Sequence, residues 1–160
     1  MLSVLTLSVP MKIVSLRSFA SLFAFLLLGL SASASEVTWL TDYDQAVSKA
    51  KAEKHPILVD FTGSDWCPVC AQMEKDVLSQ PQFEDYAKKN LVLLRLDFPV
   101  SKPLPQKQQD QNNALQQRYG VEAFPTFLVI DPSGKVIQAY SGYVPGGPSG
   151  FIAMIQGQKS

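Results

Sequence analysis

The two cysteines of the chain lie in one short stretch, Trp66-Cys67-Pro68-Val69-Cys70. This stretch follows residues 57–61, an apolar and β-branched run that is typical of a strand buried on both faces. Residues three apart on the first turn of a helix bring their Cβ atoms close enough for a disulfide. We therefore predict a strand, a break at Gly63-Ser64-Asp65, and a helix from Cys67 that brings the two sulfurs together.

The start of a helix favours a reactive sulfur at Cys67. The first turn has unpaired N–H groups and the positive end of the helix dipole, which stabilise a thiolate. We expect the pKa of Cys67 to be lowered, which makes it the attacking sulfur. Pro68 suits this turn because its missing N–H costs no intrahelical hydrogen bond. Cys70 shares a face with Met73 and Val77, so it should point inward and resolve a mixed disulfide made by Cys67.

Three other interpretations of the cysteine pair stay open at this point. One is an inert disulfide, although a four-residue clip would constrain little of the unfolded chain. The second is half of a metal site, although His55 is the only histidine and no further cysteine exists. The third is a pair of free, buried cysteines, which the position at a helix start disfavours. We predict no metal and no cofactor.

Residues 1–34 have the pattern of a cleaved secretory signal. Two basic residues precede an uncharged apolar run at 19–30, and Ala32 and Ala34 place small residues where a signal peptidase cuts. As a helix, the run spans about 18 Å, whereas a bilayer has a hydrocarbon core of about 30 Å. We expect a periplasmic or extracellular protein; the alternative is an uncleaved N-terminal anchor. Met11 begins a better-proportioned signal than Met1 does.

Residues 35–160 are predicted to form one α/β domain, a mixed sheet with helices on both faces. The predicted strands are 37–40, 57–61, 91–96, 126–130 and 136–140. The predicted helices are 41–54, 67–78, 81–89, 113–119 and 148–156. Asp131-Pro132-Ser133-Gly134 is a strong turn signal, so the last two strands should form an antiparallel hairpin. Polar, proline-bearing residues 99–113 are predicted to form a long loop.

Composition excludes several classes of function. The chain has 14 Lys+Arg and 14 Asp+Glu, a formal net charge of +0, so nothing electrostatic favours nucleic acid as a partner. Hydrophobic residues make up 46% and charged residues 18%, which suits a globular core better than a disordered chain. Two cysteines build neither a disulfide-dense scaffold nor a four-cysteine zinc site. We expect a monomer.

Two segments together resemble the thioredoxin family. They are ILVDFTGSDWCPVC at 57–70 and YGVEAFPTFLVIDPSGKVI at 119–137, which look like the strand, active-site turn and proline-bearing hairpin of that family. Tryptophan before the cysteine pair, combined with Phe124-Pro125-Thr126 before a later strand, is a specific combination. The resemblance covers roughly residues 37–157 and is strongest to exported thioredoxin-like proteins. It implies a thioredoxin fold, with Cys67 as nucleophile and Cys70 as resolving cysteine.

The resemblance also implies a substrate-binding surface. Pro125 matches the proline that is cis in the family, and the backbone of Phe124 would pair with an extended segment of substrate. Trp66 matches the tryptophan that shields the nucleophile and contacts partners. Gly142 falls where the family keeps a glycine near the docking groove. A merely packed tryptophan, an ordinary loop proline and a turn glycine are the alternative interpretations.

Asp60 resembles the family's buried acid, which relays a proton to the resolving thiol. It lies seven residues before Cys67, not the usual six, so either a bulge absorbs the extra residue or Asp60 is out of register. The lysine that often accompanies this acid corresponds to Leu93. Without that lysine, we expect Asp60 to be desolvated with less compensation and its pKa to be raised. A capped, structural aspartate is the alternative.

Our leading hypothesis is an exported thiol–disulfide oxidoreductase that exchanges disulfides with protein substrates through a Cys67–Cys70 couple. A reducing role would need a membrane electron donor, because no flavin or nicotinamide site is expected. Pro-Val between the cysteines, without a histidine, argues mildly against a strong oxidant and leaves the direction of electron flow open. The alternatives are a peptide-binding, chaperone-like module with a structural disulfide and a dedicated donor in cytochrome maturation.

Overall fold

The computed structural model describes residues 37–157, which form a five-stranded mixed sheet covered by helices on both faces. The strands are β1 (Trp39–Leu40), β2 (Ile57–Thr62), β3 (Val92–Asp97), β4 (Thr126–Ile130) and β5 (Val136–Ser141). The helices are α1 (Tyr43–Glu53), α2 (Pro68–Met73), α3 (Pro81–Asn90), α4 (Gln106–Tyr119) and α5 (Gly147–Ile155). A π-helical turn, Glu74–Leu78, continues α2. The signal predicted at 1–34 lies outside the described residues.

The strand order is β1-β3-β2-β4-β5. β3 runs parallel to both β1 and β2, whereas β4 is antiparallel to β2 and β5. This is the mixed α/β sheet that the sequence predicts, and the predicted hairpin joins β4 to β5. Among residues 37–157, no helix combines the length and apolar character that crossing a membrane requires.

Strand β2 lies at the centre of the fold, and all six of its residues are buried. Successive side chains of a strand point to opposite faces of the sheet. Leu58 therefore packs with α2, α3 and α5, and Val59 packs on the other face with α1 and α4. Each face has its own apolar core: the first includes Met73, Phe83, Phe127 and Phe151, and the second Ala50, Phe61, Leu94 and Leu115. The two cores fix the carboxyl end of β2, where the cysteine-bearing turn begins.

Short-range signals in the sequence set several element boundaries. The Asp42 carboxylate accepts a hydrogen bond from Gln45 N at 2.9 Å and caps α1. In the β4–β5 turn, Asp131 Oδ1 accepts from Ser133 N at 2.8 Å and from Lys135 N at 3.1 Å. The helix predicted from the N-cap at 41–42 and the hairpin predicted from Asp131 are thus confirmed.

The long loop predicted at 99–113 is wrong in its second half, because α4 begins at Gln106. Glutamine and lysine have good helix propensity, and Pro105 directly precedes the first turn. The helix predicted at 113–119 is therefore too short at its start, because residues 106–112 show no broad apolar stripe: Asn112 and Leu115 are the buried residues of α4. The connection between β3 and α4 is therefore the shorter segment 98–105.

Candidate active site

The turn after β2 places Cys67 at the N-terminus of α2. The carbonyl of Gly63 accepts from Cys67 N at 2.9 Å and from Trp66 N at 3.3 Å, which closes the turn. Cys67 is the N-cap residue, and its Sγ accepts a hydrogen bond from Cys70 N at 3.1 Å. Pro68 occupies the first turn, as the sequence predicts. The sulfur of Cys67 therefore lies where a helix stabilises negative charge.

Cys67 and Cys70 form a disulfide, with 2.11 Å between the sulfurs and 5.2 Å between the Cα atoms. The free-cysteine interpretation is therefore wrong. Cys67 is 7% exposed and Cys70 is 5% exposed, so both cysteines are largely buried. A shallow depression of about 250 Å³ adjoins Cys67 and is lined by Ser64, Asp65, Trp66, Cys67, Pro68 and Ala71.

The sheet brings the other predicted site residues to the same edge. Phe61 at the end of β2 pairs with Thr126 at the start of β4, and Thr126 pairs with Ser141 at the end of β5. The cysteine-bearing turn, Pro125 and Gly142 directly adjoin these three strand ends. Residues far apart in the sequence thus surround one end of the central strands.

The Phe124–Pro125 peptide bond is cis, as the resemblance implies. The buried Pro125 accepts a hydrogen bond at its carbonyl from Gly142 N at 2.8 Å. Gly142 has a φ of +85°, a conformation that favours glycine. Apart from Gly142 and its two chain neighbours, no heavy atom of residues 37–157 lies within 4 Å of the position that a Cβ of Gly142 would take. The surface beside Pro125 is therefore open.

Trp66 lies beside the disulfide and is 46% exposed. Its Nε1 donates to the carbonyl of Phe98 at 2.7 Å, and its ring meets the edge of Phe124 at a centroid distance of 5.6 Å. A Cβ at Gly63 would overlap the indole, so any other residue at this position would force the ring to move. The indole is held on several sides and keeps one face open to solvent.

Asp60 pairs with the neighbouring strands in an unshifted register, although it lies seven residues before Cys67 and not the usual six. β2 pairs without a shift through Thr62, so the extra residue lies in the following turn and forms no bulge in the strand. Asp60 is paired with Arg95 on β3, and Arg95 Nε donates to Asp60 Oδ2 at 3.1 Å. The expectation that Asp60 has less compensation, because Leu93 replaces the family's lysine, needs correction: Arg95, two residues beyond Leu93 on the same face of β3, supplies a cation.

Arg95 also joins Asp60 to the helix that carries the cysteines. Its second guanidinium nitrogen donates to Glu74 Oε2 at 2.5 Å, and its Cζ lies 4.3 Å from the centre of the Trp39 ring. Sequence reasoning missed both Arg95 and Glu74. The available signals were a charged residue inside the apolar strand VLLRLD and an acid four residues after Cys70, on the same helix face.

The Asp60 carboxyl is almost completely buried, and burial raises its pKa from 3.8 to about 7. The guanidinium of Arg95 works in the opposite direction, and the charge of Glu74 raises the pKa further. Asp60 Oδ1 has no hydrogen-bond partner among the described residues. The expected rise in pKa is confirmed, and a carboxyl that titrates near neutral pH can accept or release a proton there.

A disulfide whose sulfur caps a helix can open to a stabilised thiolate, which is the chemical requirement for disulfide exchange. On a mixed sheet covered on both faces, this arrangement defines a thiol–disulfide oxidoreductase of the thioredoxin fold. The family model of the thioredoxin-like domain matches residues 43–156, and the chain belongs to this family.

Known proteins similar to this chain share that chemistry. Disulfide bond reductase DsbH of Chlamydia pneumoniae is 32% identical over 124 residues, which cover 78% of this chain and 74% of the relative. A solved DsbH oxidoreductase structure aligns with a TM-score of 0.73 at 30% identity, over 82% of this chain and 90% of that one. The oxidised C-terminal domain of DsbD from Neisseria meningitidis shares the fold, with a TM-score of 0.55 at 19% identity over 76% of this chain and 100% of that domain. With the Cys67–Cys70 pair, the similarity to DsbH in sequence and in structure makes disulfide exchange the activity of this chain.

Proposed function

We propose that this protein is an exported reductase of disulfides in protein substrates. The observation that carries the proposal is the Cys67–Cys70 disulfide, whose Cys67 Sγ caps α2 and accepts the N–H of Cys70. The similarity to DsbH, a disulfide bond reductase, supports the reductive direction. Cys67 acts as the nucleophile and Cys70 as the resolving cysteine.

The reaction proceeds from the dithiol form. The thiolate of Cys67 attacks one sulfur of a substrate disulfide, so a Cys67–substrate bond forms while the substrate bond breaks. Cys70 then attacks Cys67 Sγ, releases the substrate as a dithiol and forms the disulfide seen here. Two electrons pass to the substrate. Asp60, with a pKa of about 7, accepts the proton that Cys70 must lose.

In this proposal, the substrate-binding surface consists of four residues around the disulfide: Trp66, Phe124, Pro125 and Gly142. Phe124 presents its backbone beside the cis-proline, where an extended substrate segment can pair with it as an added strand. The open space at Gly142 leaves room for that segment, and the exposed face of Trp66 provides an apolar contact. A substrate bound in this way brings its own sulfur to the depression beside Cys67.

Export and electron supply are linked. We propose that residues 1–34 are a signal removed after Ala34. An exported reductase lies away from cytoplasmic nicotinamide cofactors, so a membrane electron donor must regenerate its dithiol. Mass spectrometry of the protein from cell fractions tests export. We expect a periplasmic or secreted chain that begins near Ser35, and a full-length membrane-bound chain would show the uncleaved anchor instead.

Insulin reduction by dithiothreitol tests the activity. We expect Cys67→Ser to lower the rate to the uncatalysed level, because no thiolate remains to attack. Cys70→Ser should accumulate mixed disulfides with its partners, because the resolving step is lost. Circular dichroism of both variants controls for folding. Equal rates for wild type and Cys67→Ser would refute the exchange mechanism.

The redox potential of the Cys67–Cys70 couple tests the direction. Equilibration with glutathione buffers should place it near the thioredoxin value of about −270 mV. A value near that of the oxidant DsbA, about −120 mV, would contradict a reductive role while leaving disulfide exchange intact.

A further inference from the structure

The 98–105 loop, which joins β3 to α4, is bonded to the turn that precedes Cys67. The carboxylate of Asp65 accepts hydrogen bonds from Val100 N at 3.0 Å and from Ser101 N at 2.6 Å. These N–H donors hold the pKa of Asp65 below its usual range, so the side chain stays charged when cysteine thiolates react. Because 35 residues separate Asp65 from Val100, the carboxylate joins two distant segments, unlike a local cap.

The same loop holds the indole of Trp66. Phe98 accepts the Nε1 hydrogen bond at its carbonyl, and its ring lies 5.1 Å from the ring of Phe124, which in turn contacts Trp66. Gly63 forms the floor under the indole. The orientation of Trp66 therefore depends on where the 98–105 loop lies.

Asp97, the residue that directly precedes the 98–105 loop, is itself held by hydrogen bonds to two other elements. Ser64 donates through its backbone N and its Oγ to the carboxylate of Asp97, at 2.9 Å and 2.6 Å. The carbonyl of Asp97 accepts from the buried Asn112 of α4 at 2.8 Å. Val100 lies on the loop segment that Asp65 holds against the active-site turn, and its side chain is 72% exposed.

We propose that Asp65 is a positioning residue for disulfide exchange with protein partners. It holds Val100 and Ser101 of the 98–105 loop and thereby fixes the Trp66 indole that a partner polypeptide contacts. The inference rests on the proposed function, because it assigns Trp66 to the partner surface. A small disulfide needs only Cys67, whereas a folded or extended polypeptide also needs the surrounding surface in place.

The test compares two disulfides. The reduced protein reacts with insulin, a polypeptide disulfide, and with 5,5′-dithiobis(2-nitrobenzoate), a small one. We expect Asp65→Ala to lower the second-order rate constant with insulin about tenfold and with the small disulfide less than about threefold. Asp65→Asn keeps a side-chain acceptor for one N–H and should recover part of the loss.

Asp131→Ala is the matched control. Asp131 is a half-buried aspartate that also accepts backbone N–H groups, but it does so within the β4–β5 turn, away from Cys67. It should leave both rate constants unchanged. Tryptophan emission in a Trp39→Phe background, where Trp66 is the one tryptophan left, should shift to the red with Asp65→Ala and stay fixed with Asp131→Ala.

Three results would overturn the proposal: an unchanged insulin rate in Asp65→Ala, equal losses with both disulfides, or an unshifted Trp66 emission. Unfolding midpoints of all variants separate positioning from a general loss of stability, because a destabilised protein would lose both rates together. Failure of the proposed function is distinguishable, since wild type would then reduce insulin no faster than Cys67→Ser does.

Discussion

Asp60 lies between the apolar Val59 and Phe61 in β2 and pairs with Arg95 on β3, and this environment has measurable consequences. Arg95 Nε is bonded to one carboxylate oxygen, while the other oxygen has no partner among the described residues. A buried carboxyl in this condition favours the protonated form. The stability of the folded protein should therefore depend on pH through this single group.

We expect Asp60→Asn to flatten that dependence. The folded pKa of about 7 lies above the ordinary 3.8, so Asp60 contributes stability that is fully present below about pH 4 and is lost as pH rises to about 7. One pKa unit is worth about 1.4 kcal/mol, so the wild-type loss should be a few kcal/mol. Urea unfolding of the oxidised proteins between pH 4 and 8 measures it. The same pH slope in both proteins would show that another group titrates.

Arg95→Gln should destabilise the protein more at pH 8 than at pH 5. At pH 8 the charged Asp60 loses its cation, whereas at pH 5 the carboxyl is largely protonated and needs it less. We expect a loss of about 2–3 kcal/mol at pH 8, measured by urea unfolding. Lys49→Gln removes a cation from an exposed ion pair with Glu53 and should cost less than about 0.5 kcal/mol. Equal losses at the two pH values would contradict the pairing with Asp60.

Among the elements, α4 shows how a polar segment can be an essential part of the fold. Its sequence, QKQQDQNNALQQRY, has little apolar periodicity, yet Asn112 is buried and bonds the carbonyl at the end of β3. That hydrogen bond holds Asp97 at the start of the 98–105 loop. It thereby helps to position Phe98, whose carbonyl accepts the hydrogen bond of the Trp66 indole. A helix without an apolar stripe is thus held to the sheet partly by a polar contact.

We expect Asn112→Ala to lower the free energy of unfolding by about 1–3 kcal/mol, because the carbonyl of Asp97 loses its part-buried hydrogen bond. The adjacent Asn113 is exposed, and Asn113→Ala should cost less than about 0.5 kcal/mol. Urea midpoints at fixed pH compare the two variants. Equal midpoints would show that water replaces the Asn112 hydrogen bond without cost.

At the scale of the whole molecule, each face of the sheet has its own core within residues 37–157. β1 lies at one edge, and the Trp39 ring covers the guanidinium of Arg95. A chain that contains both cores and strand β1 should fold without further residues. Removal of β1 should expose the Asp60–Arg95 pair to solvent.

We expect a fragment of residues 37–157 to unfold cooperatively and to reduce insulin. A fragment of residues 41–157 lacks β1 and should be less stable by about 2–3 kcal/mol, mainly from the lost burial of Trp39 and Leu40. Circular dichroism during urea titration gives both values. A shorter fragment as stable as the longer one would assign β1 no role in covering Arg95.

The sequence alone was sufficient to predict the order of strands and helices, the hairpin at Asp131, the α/β class and the cysteine pair at a helix start. These features depend on residues within a few positions of one another: turn chemistry, caps and the spacing of two sulfurs. The family resemblance added the cis bond before Pro125. The roles of Trp66, Phe124, Pro125 and Gly142 in substrate binding stay predictions.

Only the tertiary structure decided the environment of those residues. Arg95 reaches Asp60 because two parallel strands pair in one register. The family resemblance placed the missing cation at Leu93, two residues before Arg95 on the same face of β3. Asp65 and Trp66 reach the 98–105 loop because β2 and β3 end side by side. Contacts between residues more than thirty positions apart are set by strand register and loop path, and both result from burying the two faces of the sheet together.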